Sequence, residues 1–200
     1  MAGALSFIPK EKRIHENMRP IWMQTIAQRI NRVHIRGRKL NEEQLRVAAC
    51  NWLKKHYPQR EYYLEPIVFH GIGLTITEYL HKKFKGDQLI RIPYYNELQI
   101  RPDIIGVLKF NCKFGLGWLI GECKVGKVNT SDFRQAVYYA NISKAYESYL
   151  FYNGLLSKEV EDLIQTGGHL YQGINKWGKT VKKRLIIVKY DGNRFIKSML

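Results

Sequence analysis

The sequence predicts an α/β domain with a mixed central β-sheet flanked by helices, preceded by an N-terminal helical arm. Three observations lead there. The first 60 residues hold two apolar stripes of helical period, whereas from residue 70 onward short β-rich runs alternate with helical ones. A chain of 200 residues is long enough to bury one hydrophobic core. Hydrophobic residues at 45% and aromatic ones at 12% belong to a sequence that collapses, and no repeat or low-complexity tract interrupts it.

The arm or subdomain is assigned to residues 1–60 and the core to 61–200. Within the arm, Ile21, Trp22, Ile26, Ile30 and Val33 recur at helical spacing after Pro20. A second helix opens at Asn41, a good N-cap with Gln44 three residues on, and carries Leu45, Ala48, Ala49, Trp52 and Leu53. Between the two lies Arg36-Gly37-Arg38-Lys39, a basic turn that serves equally well as a phosphate contact (Arg36, Arg38, Lys39) or as a solvated loop.

In the core, Thr75 to Phe84 reads as a helix with Ile76, Tyr79, Leu80 and Phe84 on one side. Gln88 to Tyr95 and Ile104 to Leu108 read as strands, and Trp118 to Val125 as a third, set off by Gly115 and Gly117. Asp132 to about Tyr146 is helical, with Phe133, Ala136, Val137, Ala140 and Ala145 as its buried side. A strand at Tyr149 to Tyr152, a short helix at Ser157 to Gln165 and one β run from Lys183 to Tyr190 complete the order.

Charge points to the partner. Lys and Arg number 33 against 17 Asp and Glu, for a formal net charge of +16, so a polyanion is the expected ligand. A nucleic acid fits this better than a membrane surface, because no run approaches the roughly 18 apolar residues of a spanning helix. The start of the chain also lacks the apolar stretch of a signal peptide, so an intracellular, soluble protein is expected. Three cysteines without a C-x-x-C pair argue against a disulfide framework and a zinc site. No P-loop is present, so nothing suggests ATP dependence.

The chemistry is carried by Asp103, at the start of one predicted strand, and by Glu122 and Lys124 in the next. Alternation along a strand puts Glu122 and Lys124 on one face and Cys123 on the other. Two carboxylates can hold a hard, oxygen-seeking cation such as Mg²⁺, for which Mn²⁺ would substitute, and leave positions open for a phosphate oxygen and a water. Lys124 beside that water can orient it or offset the charge that develops on the phosphate. An acid-x-Lys triplet alone is a common accident, and an Asp after Pro is often a turn residue. Their conjunction in the order helix, strand, strand opening at Asp103, strand carrying Glu122 and Lys124, helix, strand is the signal.

That conjunction, Arg101-Pro102-Asp103-Ile104-Ile105-Gly106 with Leu119-Ile120-Gly121-Glu122-Cys123-Lys124, resembles the PD-(D/E)XK nuclease superfamily over about residues 70 to 152. Gln135 and Tyr139 on the following helix resemble the Q-x-x-x-Y motif of its RecB-like branch. The chain is more distantly similar to small nucleases of archaeal viruses, for which the host cytoplasm would be the compartment, and to archaeal Holliday junction resolvases. The resemblance implies a restriction-endonuclease-like core, Mg²⁺-dependent hydrolysis of DNA by Asp103, Glu122 and Lys124 with Gln135 and Tyr139 in support, and a metal ligand in the Cys123 main-chain carbonyl. It also makes Glu78 a candidate ligand, although Thr75-Ile76-Thr77-Glu78 has the form of a capping box. A dimeric junction resolvase and a catalytically idle DNA-binding protein are the alternatives, and a homodimer would supply the two sites that paired cuts need.

Overall fold

The computed structural model describes residues 40–57, 67–68, 75–83, 98–109 and 116–198, all within a compact unit running from Gly37 to Leu200. The predicted first helix, the Arg36, Arg38 and Lys39 turn and the predicted strand at 88–95 lie outside the described residues.

The first described element, α1 (Glu42–His56), starts where the sequence places it. Asn41 accepts the Gln44 N–H at 2.8 Å and Gln44 accepts the Asn41 N–H at 3.0 Å, a reciprocal capping box. Its Leu45, Ala49, Cys50 and Leu53 are buried. The helix grouped with the arm on sequence grounds therefore packs into the core, through Trp52 against Tyr149 and Phe151.

After a two-residue strand β1 (Ile67–Val68) comes α2 (Ile76–Lys83). The Ile76 and Thr77 amides donate to the Ile100 and Leu98 carbonyls at 3.0 and 3.1 Å and fasten α2 to the segment before the next strand. Then follow β2 (Ile104–Lys109), β3 (Leu116–Val128), α3 (Thr130–Ser143), β4 (Glu147–Leu156) and α4 (Lys158–Gln165). Asn129 and Ser157 are the N-caps of α3 and α4, and α3 ends on Lys144 in the left-handed region.

A ribbon of β5 (Leu170–Ile174) and β6 (Thr180–Arg184) comes next, before β7 (Ile186–Tyr190) and β8 (Phe195–Lys197). The central sheet is mixed, in the order β1-β2-β3-β4-β7-β8. The β1, β2 and β3 strands are antiparallel each to the next, β3-β4 and β4-β7 are parallel, and β8 is antiparallel to β7. The parallel steps follow from the crossovers through α3 and α4, which bury Phe133, Ala136, Val160 and Ile164 against Leu150 and Ile187. Opposite that layer, α1 covers the face bearing Tyr149 and Phe151.

The single β run expected over 183–190 is two strands in two sheets. The chain breaks at Leu185, which is buried and donates its amide to the His169 carbonyl at 2.8 Å. Only the apolar half, Ile186 onward, enters the central sheet, while Lys182, Lys183 and Arg184 stay on the ribbon, where charge keeps its water. No described helix is long and apolar enough to cross a membrane.

Candidate active site

The site forms where β2 stops. Its ladder with β3 runs from Lys109↔Leu116 to Ile104↔Gly121, so β3 continues past Gly121 with β4 on one side and no β2 residue on the other. Asp103, just before β2, fills that gap. Its Oδ2 accepts the Cys123 amide at 2.8 Å, so Cys123 turns its backbone toward the side that β2 has vacated. In strand geometry the N–H and C=O of one residue point the same way, so the Cys123 carbonyl opens into the same gap. Its side chain is fully buried on the opposite face, beside Cys50.

Glu122 and Lys124 lie together on the other face of β3, as the alternation requires. Glu122 is 3% exposed, and its Oε1 is buried without a hydrogen-bond partner among the described residues. Burial, reinforced by the neighbouring Asp103 carboxylate, pushes the Glu122 carboxyl up to about 8. Lys124 Nζ stands 3.9 Å from Glu122 Oε2 and 3.8 Å from Asp132 Oδ1, near both and tightly paired with neither.

Two further residues join this constellation that the motif pattern alone does not single out. Arg46 of α1 reaches Asp103 Oδ1 at 2.5 Å and also pairs with Glu42. Asp132 uses one oxygen to complete the α3 capping box, accepting the Asn129 amide at 3.1 Å, and turns the other toward Lys124. The Asn129-to-Asp132 spacing is a visible cap signal, but the contact with Lys124 needs the β3-α3 turn. Arg46 leaves a weaker trace, a basic residue four positions after Glu42.

Gln135 and Tyr139 follow Asp132 along one side of α3. Gln135 Nε2 donates to the Tyr139 hydroxyl at 3.2 Å, and the Tyr139 ring packs on the core around Ile76 and Leu80. The pair is thus built into the helix face that begins at the site. Glu78 serves as a helix cap. Its carboxylate accepts the Thr75 amide at 2.7 Å while Thr75 Oγ1 accepts the Glu78 amide at 3.2 Å, and that backbone bond draws its carboxyl below the usual range. The capping-box reading of Glu78 is the one seen in the structure.

Whether these residues suit a divalent cation turns on donor number. Among the described residues no group of three or more His, Cys, Asp and Glu side chains gathers as a metal cage. Magnesium does not ask for one, since it keeps several waters and is bound through one or two carboxylates together with a substrate phosphate. Asp103 and Glu122, the unpartnered Glu122 oxygen and the open Cys123 carbonyl fit that pattern. Each Asp103 oxygen retains an acceptor position beyond the one already used. No protein-family model, curated protein or solved structure matches the chain.

Proposed function

We propose that the chain is a Mg²⁺-dependent deoxyribonuclease with a restriction-endonuclease-like core, in which Asp103, Glu122 and Lys124 form the hydrolytic centre. The observation that carries this reading is the buried, unpartnered Glu122 oxygen beside a second carboxylate and a lysine. Such an arrangement is costly for stability alone, because two neighbouring carboxylates repel and a buried acceptor lacks a donor. It becomes sensible around a cation. The run of α2, antiparallel β2 and β3, then α3 and parallel β4 adds topological support.

In this mechanism Asp103, Glu122 and the Cys123 carbonyl would hold Mg²⁺. Bound there, the ion would lower the pKa of a water and withdraw charge from a phosphate oxygen. The chain's own residues do the rest. Lys124 presents an ammonium where the attacking water and the developing negative charge would lie. Asp132 keeps that ammonium on the Glu122 side of the sheet, and Arg46 fixes the Asp103 rotamer. The direct test is incubation with labelled linear, nicked and four-way-junction DNA with and without Mg²⁺. The hydrolytic reading requires cleavage of at least one of them only when Mg²⁺ is present, and no cleavage under either condition would leave a DNA-binding protein with an idle fold.

Two further outcomes follow. Replacing Arg46 with Met strips the only described cation touching Asp103, so the metal-free variant should lose about 1–3 kcal/mol of stability. Mg²⁺ should restore more of the melting temperature in Arg46→Met than in wild type, because it replaces the missing charge. The second concerns residues 1–39, which hold nine Lys and Arg against two Glu. Deleting them should flatten the dependence of DNA affinity on salt, by about 0.9 in log–log slope for each phosphate that is no longer neutralised. A slope unchanged by the deletion would mean that Arg36, Arg38 and Lys39 do not touch phosphate.

A further inference from the structure

The β5-β6 ribbon is basic and carries an exposed aromatic at its turn. From Thr166 to Tyr190 the chain has six Lys and Arg and no Asp or Glu. Its turn, Asn175 to Lys179, is tightly specified. The Asn175 side chain accepts the Trp177 and Lys179 amides at 2.9 and 3.1 Å, the Asn175 amide donates to the Lys179 carbonyl at 2.9 Å, and Gly178 supplies a φ of +74°. Yet what this turn presents is a tryptophan that is 53% exposed, with Lys176 Nζ 4.5 Å from its ring centroid. A large aromatic held half in water by a well-bonded turn forgoes about half of its burial energy, which a fold has no reason to arrange for stability. On the ribbon behind it, Lys182 and Arg184 project on the exposed side of β6.

We infer that this ribbon is a binding surface for unpaired DNA, on which Trp177 stacks against a base while Lys179, Lys182 and Arg184 follow the phosphates. An exposed ring flanked by cations is the chemistry that grips single-stranded nucleic acid, because every base has a π-face and every nucleotide a charge. The ribbon is anchored to the helix that leads from the hydrolytic centre. The Asn141 side chain and the Lys144 carbonyl accept the Gln172 and Ile174 amides at 2.9 and 3.2 Å. Asp132 and Asn141 are about 14 Å apart along the α3 axis, within the span of a short oligonucleotide. The assignment of DNA as the polyanion rests on the function proposed above, whereas the ribbon's role as a nucleic-acid contact does not require hydrolysis.

The test compares wild type, Trp177→Ala, Trp177→Phe and a Lys182→Ser/Arg184→Ser double variant of the full chain. Affinity for a fluorescein-labelled oligo(dT) and for a blunt duplex is measured in EDTA over a series of salt concentrations. Trp177→Ala should weaken oligo(dT) binding between about fivefold and a hundredfold, with a smaller effect on the duplex, and Trp177→Phe should recover most of the loss. The double variant should instead lower the salt slope by about 1.4. Oligo(dT) affinity indifferent to Trp177 overturns the inference, even if wild type cleaves DNA with Mg²⁺. Loss of binding to anionic phosphatidylserine vesicles in Trp177→Ala, with DNA affinity unchanged, overturns it in favour of a lipid surface. Conversely, a wild type that never cleaves but shows the Trp177 effect sustains the ribbon and removes the nuclease reading.

Discussion

Glu122→Gln should abolish Mg²⁺-dependent cleavage and at the same time make the metal-free protein more stable. The two effects have one cause. Glu122 is buried beside Asp103, with one oxygen unpartnered, so the folded protein carries the cost of a crowded carboxylate. The amide removes the ionisable group, and the cost of holding its proton against its ordinary range, at constant shape, and with it an anionic ligand for the cation. Cleavage should fall by at least about a thousandfold, as when a group essential to transition-state charge is removed, while DNA binding persists. Asp103→Asn should cut as poorly but bring no gain in stability, because it gives up the carboxylate's pairing with Arg46 and weakens the acceptor of the Cys123 amide. Lys124→Met takes away the ammonium and leaves the carboxylates, so it should still bind Mg²⁺ while the chemical step slows. A Glu122→Gln protein that cuts as fast as wild type would move the activity to another part of the chain.

The stability half of that result has its own pH signature. A carboxyl whose folded pKa is raised binds its proton more tightly in the native state, so its contribution is present at low pH and is lost as pH rises through the folded value. For Glu122 the window runs from its ordinary range near 4.5 up to about 8. In EDTA, wild-type stability should therefore decline across that interval relative to Glu122→Gln. Denaturant titrations at pH 5 and pH 8.5 measure the difference between the two proteins, and an identical difference at both would show that Glu122 does not titrate as its burial implies.

What the sequence disclosed and what it concealed divide along a physical line. Asn41 announces a helix start because a cap is a contact across three residues, and it is observed as the N-cap of α1, whereas α3 begins at Thr130 on its Asn129 cap, two residues before the Asp132 start that apolar periodicity suggests. The shared face of Glu122 and Lys124 was readable because strand alternation is local geometry. Arg46 was not readable as a neighbour of Asp103, since a contact spanning 57 positions depends on how α1 packs on the sheet. The same helix falls with the basic arm when the chain is divided by its texture, helical before residue 60 and β-rich after 70, whereas its buried Leu45, Ala49 and Leu53 belong to the core. The β5-β6 ribbon is hidden in the sequence for a different reason. Lys183 to Tyr190 is unbroken in β propensity, and only the burial demand of the central sheet decides that Leu185 ends one strand and Ile186 begins another.

The largest effect on stability is expected from Gly154→Ala, two positions past the β4 partner of Lys124. Tyr152 pairs with Lys124 in the parallel β3-β4 ladder and Gly154 with Gly126, so two glycines face each other across the strands. Gly126 has a φ of +86°, and the backbones approach so closely that a Cβ on Gly154 would fall on the Gly126 carbonyl oxygen. A side-chain clash can be relieved by a rotamer, but a clash with a carbonyl moves the strand. Gly154→Ala should therefore cost about 3 kcal/mol or more, above the usual overpacking penalty, because no flexible group is available to yield. Gly126→Ala has open space around its Cβ and is penalised mainly for its positive φ, so it should cost less, about 1–2 kcal/mol. Because Lys124 lies two residues before this contact, the strand shift in Gly154→Ala should also move its ammonium and slow cleavage in whatever fraction remains folded. Urea midpoints for the two variants decide the point: equal losses would mean that the close approach of β3 and β4 carries no energetic weight.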